Sequence, residues 1–128
     1  MADLSKYLKF QKKHYNTVYL ELSNQYYNAG WVDYILPRLE EQCDSQRSYG
    51  SGFNSQKEVI SFWNTKLLRE NYINIIRLLN KLEDVNIISN RGKFKIKQSI
   101  NLFLPLANEE DKILLSKFLE KLTNIEGE

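Results

Sequence analysis

Leu68, Tyr72, Ile75, Leu79 and Leu82 recur at spacings of four, three, four and three residues, which holds them on one stripe of a 3.6-residue helix. A helix over about 67–84 with one buried side therefore constrains the rest of the chain. Its opposite stripe carries Glu70, Asn74, Arg77 and Lys81, side chains that add little to a core but suit solvent or a polar partner. Directly beyond come Val85-Asn86-Ile87-Ile88, then Ser89-Asn90-Arg91-Gly92, then Lys93-Phe94-Lys95-Ile96-Lys97. The last run alternates, so a strand there would bury Phe94 and Ile96 and point three ammonium groups outward. Asn90 and Gly92 accept the positive φ of a short connection. The expectation is a mainly α fold with a small β-hairpin over 85–97.

A chain of 128 residues is one domain by length, 1–128, and long enough to bury a core without disulfides or metal. It divides into N-terminal helices and a loop (1–54), a helix-turn-helix plus hairpin (55–97) and a C-terminal helix (98–128). No apolar run approaches the roughly 18 residues of a membrane span, and the start lacks a signal-peptide segment, so a cytoplasmic protein with no membrane partner is expected. Cys43 and His14 are the only residues of their types, which excludes an internal disulfide and a zinc site and leaves no metal or cofactor to expect. Net charge is +2 but uneven: residues 66–97 hold eight basic and three acidic side chains, while 98–128 hold three and six. The basic excess falls on the helix and hairpin, as on a surface that meets a polyanion.

Leu4, Tyr7, Leu8, Tyr15, Val18, Leu22 and Tyr26 share one stripe and predict a first helix over about 4–28, with Gly30 suited to its left-handed stop. Trp31, Tyr34, Ile35 and Leu39 predict a second amphipathic segment that Pro37 opens or kinks. Residues 44–55 are polar and glycine-bearing, hence a loop; Ser48, Gly50, Ser51 and Gly52 lack the Gly-Lys-Ser/Thr ending of a phosphate-cradling loop. Ser55 and Glu58 have capping-box spacing, so a helix should start at Gln56 and bury Val59, Ile60, Phe62 and Trp63, with a break at Asn64-Thr65. After the hairpin, an apolar run from Ile100 to Leu106 precedes Asn108, a good N-cap. Glu109, Glu110 and Asp111 follow in the first turn of a last helix whose stripe includes Asp111, Leu114 or Leu115, Phe118, Leu122 and Ile125.

Helix, turn and helix, then Arg77, the pair Leu82-Glu83, apolar Ile87-Ile88 and a basic run, resemble the winged helix-turn-helix superfamily, with Asn86 where that family has glycine. The resemblance implies a winged helix-turn-helix-like core flanked by N- and C-terminal helices, and a sequence-specific transcriptional regulator of double-stranded DNA. Its 67–84 helix would enter the major groove and its 85–97 hairpin would serve as a wing. Arg69, Asn71, Asn74, Arg77, Lys81, Asn90, Arg91, Lys93 and Lys95 become the DNA-binding residues, Asn74 and Arg77 reading bases and the hairpin cations neutralising phosphates. The first and last helices, short of partners in so small a domain, would pair in a homodimer. The competing class is a small protein-interaction or inhibitor module of phage or plasmid type with no DNA binding, to which eight tyrosines are suited. No nucleophile with a base and no paired carboxylates point to an enzyme.

Overall fold

The structure, a computed structural model, describes residues 3–43 and 50–126, with side chains to Thr123. Positions 44–49 of the expected loop, Ser48 included, lie outside that set, as does the side chain of the expected stripe residue Ile125. The fold is helical: α1 (Ser5–Ser23), α2 (Val32–Ile35), α3 (Gln56–Asn64), α4 (Lys66–Asn80), α5 (Asn90–Phe103) and α6 (Glu109–Glu126). Among the described residues no named strand forms; Leu39 and Phe53 make an isolated parallel bridge.

The constraining stripe builds α4, which packs against α1, α2, α3 and α6. Leu68, Tyr72, Ile75 and Leu79 are fully buried, and Leu82 nearly so beyond its end. Around Tyr72 stand Phe62, Trp63 and Phe103, with Trp63 stacked on Phe103 at 4.9 Å between ring centroids and Tyr72 edge-on to it at 5.0 Å. Lys121 of α6 donates to the carbonyls of Asn80 and Leu82 (3.2 and 2.9 Å), so a cation meets the negative end of α4. Tyr7, Val18 and Leu22 of α1 and Leu115, Phe118 and Leu122 of α6 are buried within the single chain. These stripe residues pack into the chain's own core, while Leu8 of the same α1 stripe stays 39% exposed.

Local signals held where hydrogen bonds are local. The Glu58 amide donates to the Ser55 hydroxyl at 3.3 Å and α3 begins at Gln56, although the Glu58 carboxylate turns back to the Asn54 amide rather than that of Ser55. The Asp111 amide donates to Asn108 Oδ1 at 2.8 Å. The first helix, however, ends five residues before the expected 28. Ser23 and Asn24 donate to the Tyr19 and Leu20 carbonyls, Gln25 turns left-handed (φ 63°), and Tyr26 is carried off the stripe into solvent. The second amphipathic segment is only a 3₁₀ turn (Ala29–Trp31) running into the four residues of α2. Pro37 excludes helical geometry at Leu36, whose φ and ψ are −119° and 66°.

The hairpin and its wing are overturned. Residues 85–87 form a 3₁₀ turn, and 90–103 are the helix α5. Alternation over five residues competed with a longer 3.6-residue pattern, Gly92, Ile96, Ser99, Ile100 and Phe103, all of them buried. The Ser89 hydroxyl accepts from the Gly92 amide at 3.0 Å as N-cap, so Asn90 and Gly92 open a helix instead of a turn. The expected inside and outside are exchanged as well: Phe94 is 57% exposed, whereas Lys93 and Lys95 are 3% and 9% exposed. Lys93 Nζ donates to Asn86 Oδ1 at 2.7 Å, and Lys95 turns toward Asp33.

Candidate anion-binding cleft

The left-handed turn at Gln25 redirects the chain so that Tyr27 lies against the start of α5. The Asn28 side chain accepts from the Gly30 amide at 3.1 Å and shapes the turn that leads into α2. Tyr27 packs edge-on to Trp31 (5.9 Å, 73°), and its hydroxyl reaches Gly92 so closely that a Cβ there would lie 2.6 Å from Tyr27 Oη. Glycine at 92 therefore answers a close approach, not a turn.

Between these segments is a cleft of about 220 Å³, with Tyr27, Ala29 and Val32 on one wall and Ser89, Arg91, Gly92 and Lys95 on the other. Among the described residues the lining contains two cations and no carboxylate, and it includes the first turn of α5, where amide groups and the helix dipole favour an anion. Burial, with Asp33 second, pushes the Tyr27 hydroxyl up to about 12, so it is neutral at ordinary pH and able to donate. Its oxygen is buried and meets no hydrogen-bond partner among the described residues.

Behind Lys95 lies a buried ionic chain. Lys95 Nζ stands 3.4 and 3.5 Å from the two oxygens of Asp33, and Arg38 Nη2 stands 3.7 Å from Asp33 Oδ1. Arg38 Nη1 donates to Gln98 Oε1 at 2.7 Å. The Asp33 and Arg38 side chains are each 2% exposed and that of Lys95 is 11% exposed. Two buried cations thus share one carboxylate, and Arg38 Nε and Nη2 meet no hydrogen-bond acceptor among the described residues. Unmatched positive charge in such surroundings is costly and favours a counter-anion.

The nine residues assigned to DNA scatter. Asn71 is buried between helices, donating to Gln11 Oε1 at 2.8 Å, while Gln11 donates to the Tyr34 carbonyl; it is a core amide. Lys93 is held by Asn86, and Lys95 by Asp33. Lys81 is exposed just past α4, and Asn90 is exposed at the start of α5. Arg69, Asn74 and Arg77 share a polar groove of about 370 Å³ with Glu70 and with Asp111 of α6. There Arg69 donates to the Trp63 carbonyl at 2.9 Å, and Arg77 points to Asn74 Oδ1 at 3.4 Å. Burial, then Glu110, raises the Asp111 carboxyl above its usual range against the pull of both arginines. Tyr27, Asp33, Arg38, Ser89, Gly92 and Gln98 were not singled out as site residues from sequence. One signal was available: Asp33 is the only charged residue in the apolar run from Trp31 to Leu36.

A family model described as "Protein of unknown function (DUF1810)" matches residues 1–126. The chain belongs to the DUF1810 family. This DUF1810 chain is similar in structure to the conserved hypothetical protein Rv1873 from Mycobacterium tuberculosis, with a TM-score of 0.80, 20% identity, and coverage of 94% of this chain and 89% of that one. At that identity the likeness speaks for the fold alone. No curated protein matches the sequence. The winged helix-turn-helix resemblance is thereby corrected: the family is DUF1810, and the helical fold lacks the wing among its described residues. No helix of the described DUF1810 residues is long and apolar enough to cross a membrane.

Proposed function

We propose that this protein binds a small anionic ligand through a phosphate group seated in the cleft at the start of α5. The observation that carries the reading is the charge imbalance. Lys95 and Arg38 share the carboxylate of Asp33, and among the described residues the cleft onto which Lys95 opens has no acidic lining residue. A phosphate there would accept from Lys95, from the Tyr27 hydroxyl and from the first turn of α5, whose dipole points the same way. The volume of about 220 Å³ lies below the roughly 300–1,000 Å³ of pockets that enclose drug-sized ligands, so the cleft suits one charged group rather than a whole large cofactor.

Calorimetric titration with inorganic phosphate at low ionic strength tests the reading. Saturable binding that disappears in Lys95→Met supports it; equal heats from the parent and from Lys95→Met refute it. A second reading, contact of α4 with duplex DNA, is favoured by Arg69, Asn74 and Arg77 sharing one groove. Retention on duplex DNA that falls as salt rises and weakens in Arg77→Ala supports that second reading.

A further inference from the structure

We propose that Asp33 is a built-in competitor for the ligand of the cleft: an anion that reaches Lys95 displaces the Asp33 carboxylate, which closes on Arg38 instead. The proposal rests on the anion-binding reading and deepens it, naming the residue that sets affinity from behind the site. Charge-assisted N–H···O bonds are optimal at about 2.7–2.9 Å. Asp33 meets neither cation at that length, standing 3.4 and 3.5 Å from Lys95 and 3.7 Å from Arg38.

The two cations differ in what they can do. Arg38 is anchored through Nη1 to Gln98 at 2.7 Å while its Nη2 is buried without a hydrogen-bond acceptor among the described residues, so its guanidinium is a fixed receiver. Lys95 is the member of the chain with contact to solvent and the one that lines the cleft, and its four-carbon stem lets the ammonium move. Closing the Arg38 contact from 3.7 Å to a bond of about 2.9 Å asks the carboxylate to move by about 0.8 Å. The transfer conserves buried pairing: Lys95 exchanges Asp33 for the ligand, and Asp33 exchanges a shared cation for one of its own.

Phosphate affinity is measured by calorimetry in the parent, Asp33→Asn, Arg38→Met and the double variant. Removing the competitor in Asp33→Asn raises affinity about tenfold. Arg38→Met, at a residue that does not line the cleft, lowers it about tenfold because Asp33 is left wholly to Lys95. The double variant, which loses one charge of each sign, binds more tightly than Arg38→Met, and it keeps the test decisive if Asp33→Asn does not fold. A crystal structure with phosphate should bring Asp33 within hydrogen-bond distance of Arg38 Nη2 and open its distance to Lys95. Unchanged or weaker binding in Asp33→Asn, or unchanged binding in Arg38→Met, overturns the competitor role alone. Absence of phosphate binding by the parent overturns the cleft's assignment and this proposal with it.

Discussion

Replacing Gly92 by alanine sets two effects of known sign against each other at the floor of the cleft. In an ordinary helix the change stabilises by about 0.5–1 kcal/mol, because glycine loses more backbone freedom on folding. Here the new methyl would lie 2.6 Å from Tyr27 Oη, 3.0 Å from Ile88 Cγ2 and 3.3 Å from Ser89 Oγ. The tyrosine must withdraw by several tenths of an ångström, and its ring is packed against Trp31, so overpacking of about 1–3 kcal/mol opposes the gain. The expected net effect is a loss of about 1 kcal/mol, a fall in Tm of about 4 °C for a chain of this size. The reasoning is sharpest as a double-mutant cycle. In Tyr27→Phe the closest clash is gone, so Gly92→Ala becomes neutral or stabilising, with a coupling of about 1 kcal/mol or more between the sites. Urea denaturation of the four proteins reads it. An equal cost of Gly92→Ala in both backgrounds would mean that the Tyr27 hydroxyl is not what holds position 92 to glycine, and the cleft wall as described would be wrong.

Phosphate at a hundred times its Kd should stabilise the parent by about 2.7 kcal/mol and leave Lys95→Met unmoved, as a thermal melt at several concentrations would reveal. Tyr27 is held above its unfolded value, up to about 12, and Tyr7 and Tyr72 are raised by burial too. Between the unfolded value and the folded one the unfolded chain has lost protons that the folded chain keeps. Their contribution is therefore complete below about pH 10 and is lost as pH rises through the folded values; unfolding midpoints that do not fall above pH 10 would contradict this. Asn71→Ala leaves Gln11 Oε1 without its buried donor and should cost about 1–3 kcal/mol, whereas Gln11→Leu combined with Asn71→Leu should cost less. Equal losses in denaturant titration would remove the amide pair from the account of the α1–α4 interface.

Much of the helical frame was legible because its causes are local. The stripe through Leu68, Tyr72, Ile75 and Leu79 repeats over about three turns, and the caps at Ser55 and Asn108 need only neighbours three residues away. Over 93–97 the two periods conflict: five residues alternate, and the helical pattern they belong to becomes visible only when continued to Phe103. Gly92 looked like punctuation, yet the residue that requires it is Tyr27.

From sequence alone came the helix at the centre, the starts of α3 and α6, and the concentration of basic residues between 66 and 97. Which of those cations face solvent was decided by tertiary structure. A lysine on a helix turns inward only when something inside receives its charge, and for Lys95 that receiver, Asp33, lies 62 residues earlier in the chain. Periodicity describes a chain's own faces, whereas burial of a charge depends on the partner that packing brings to it.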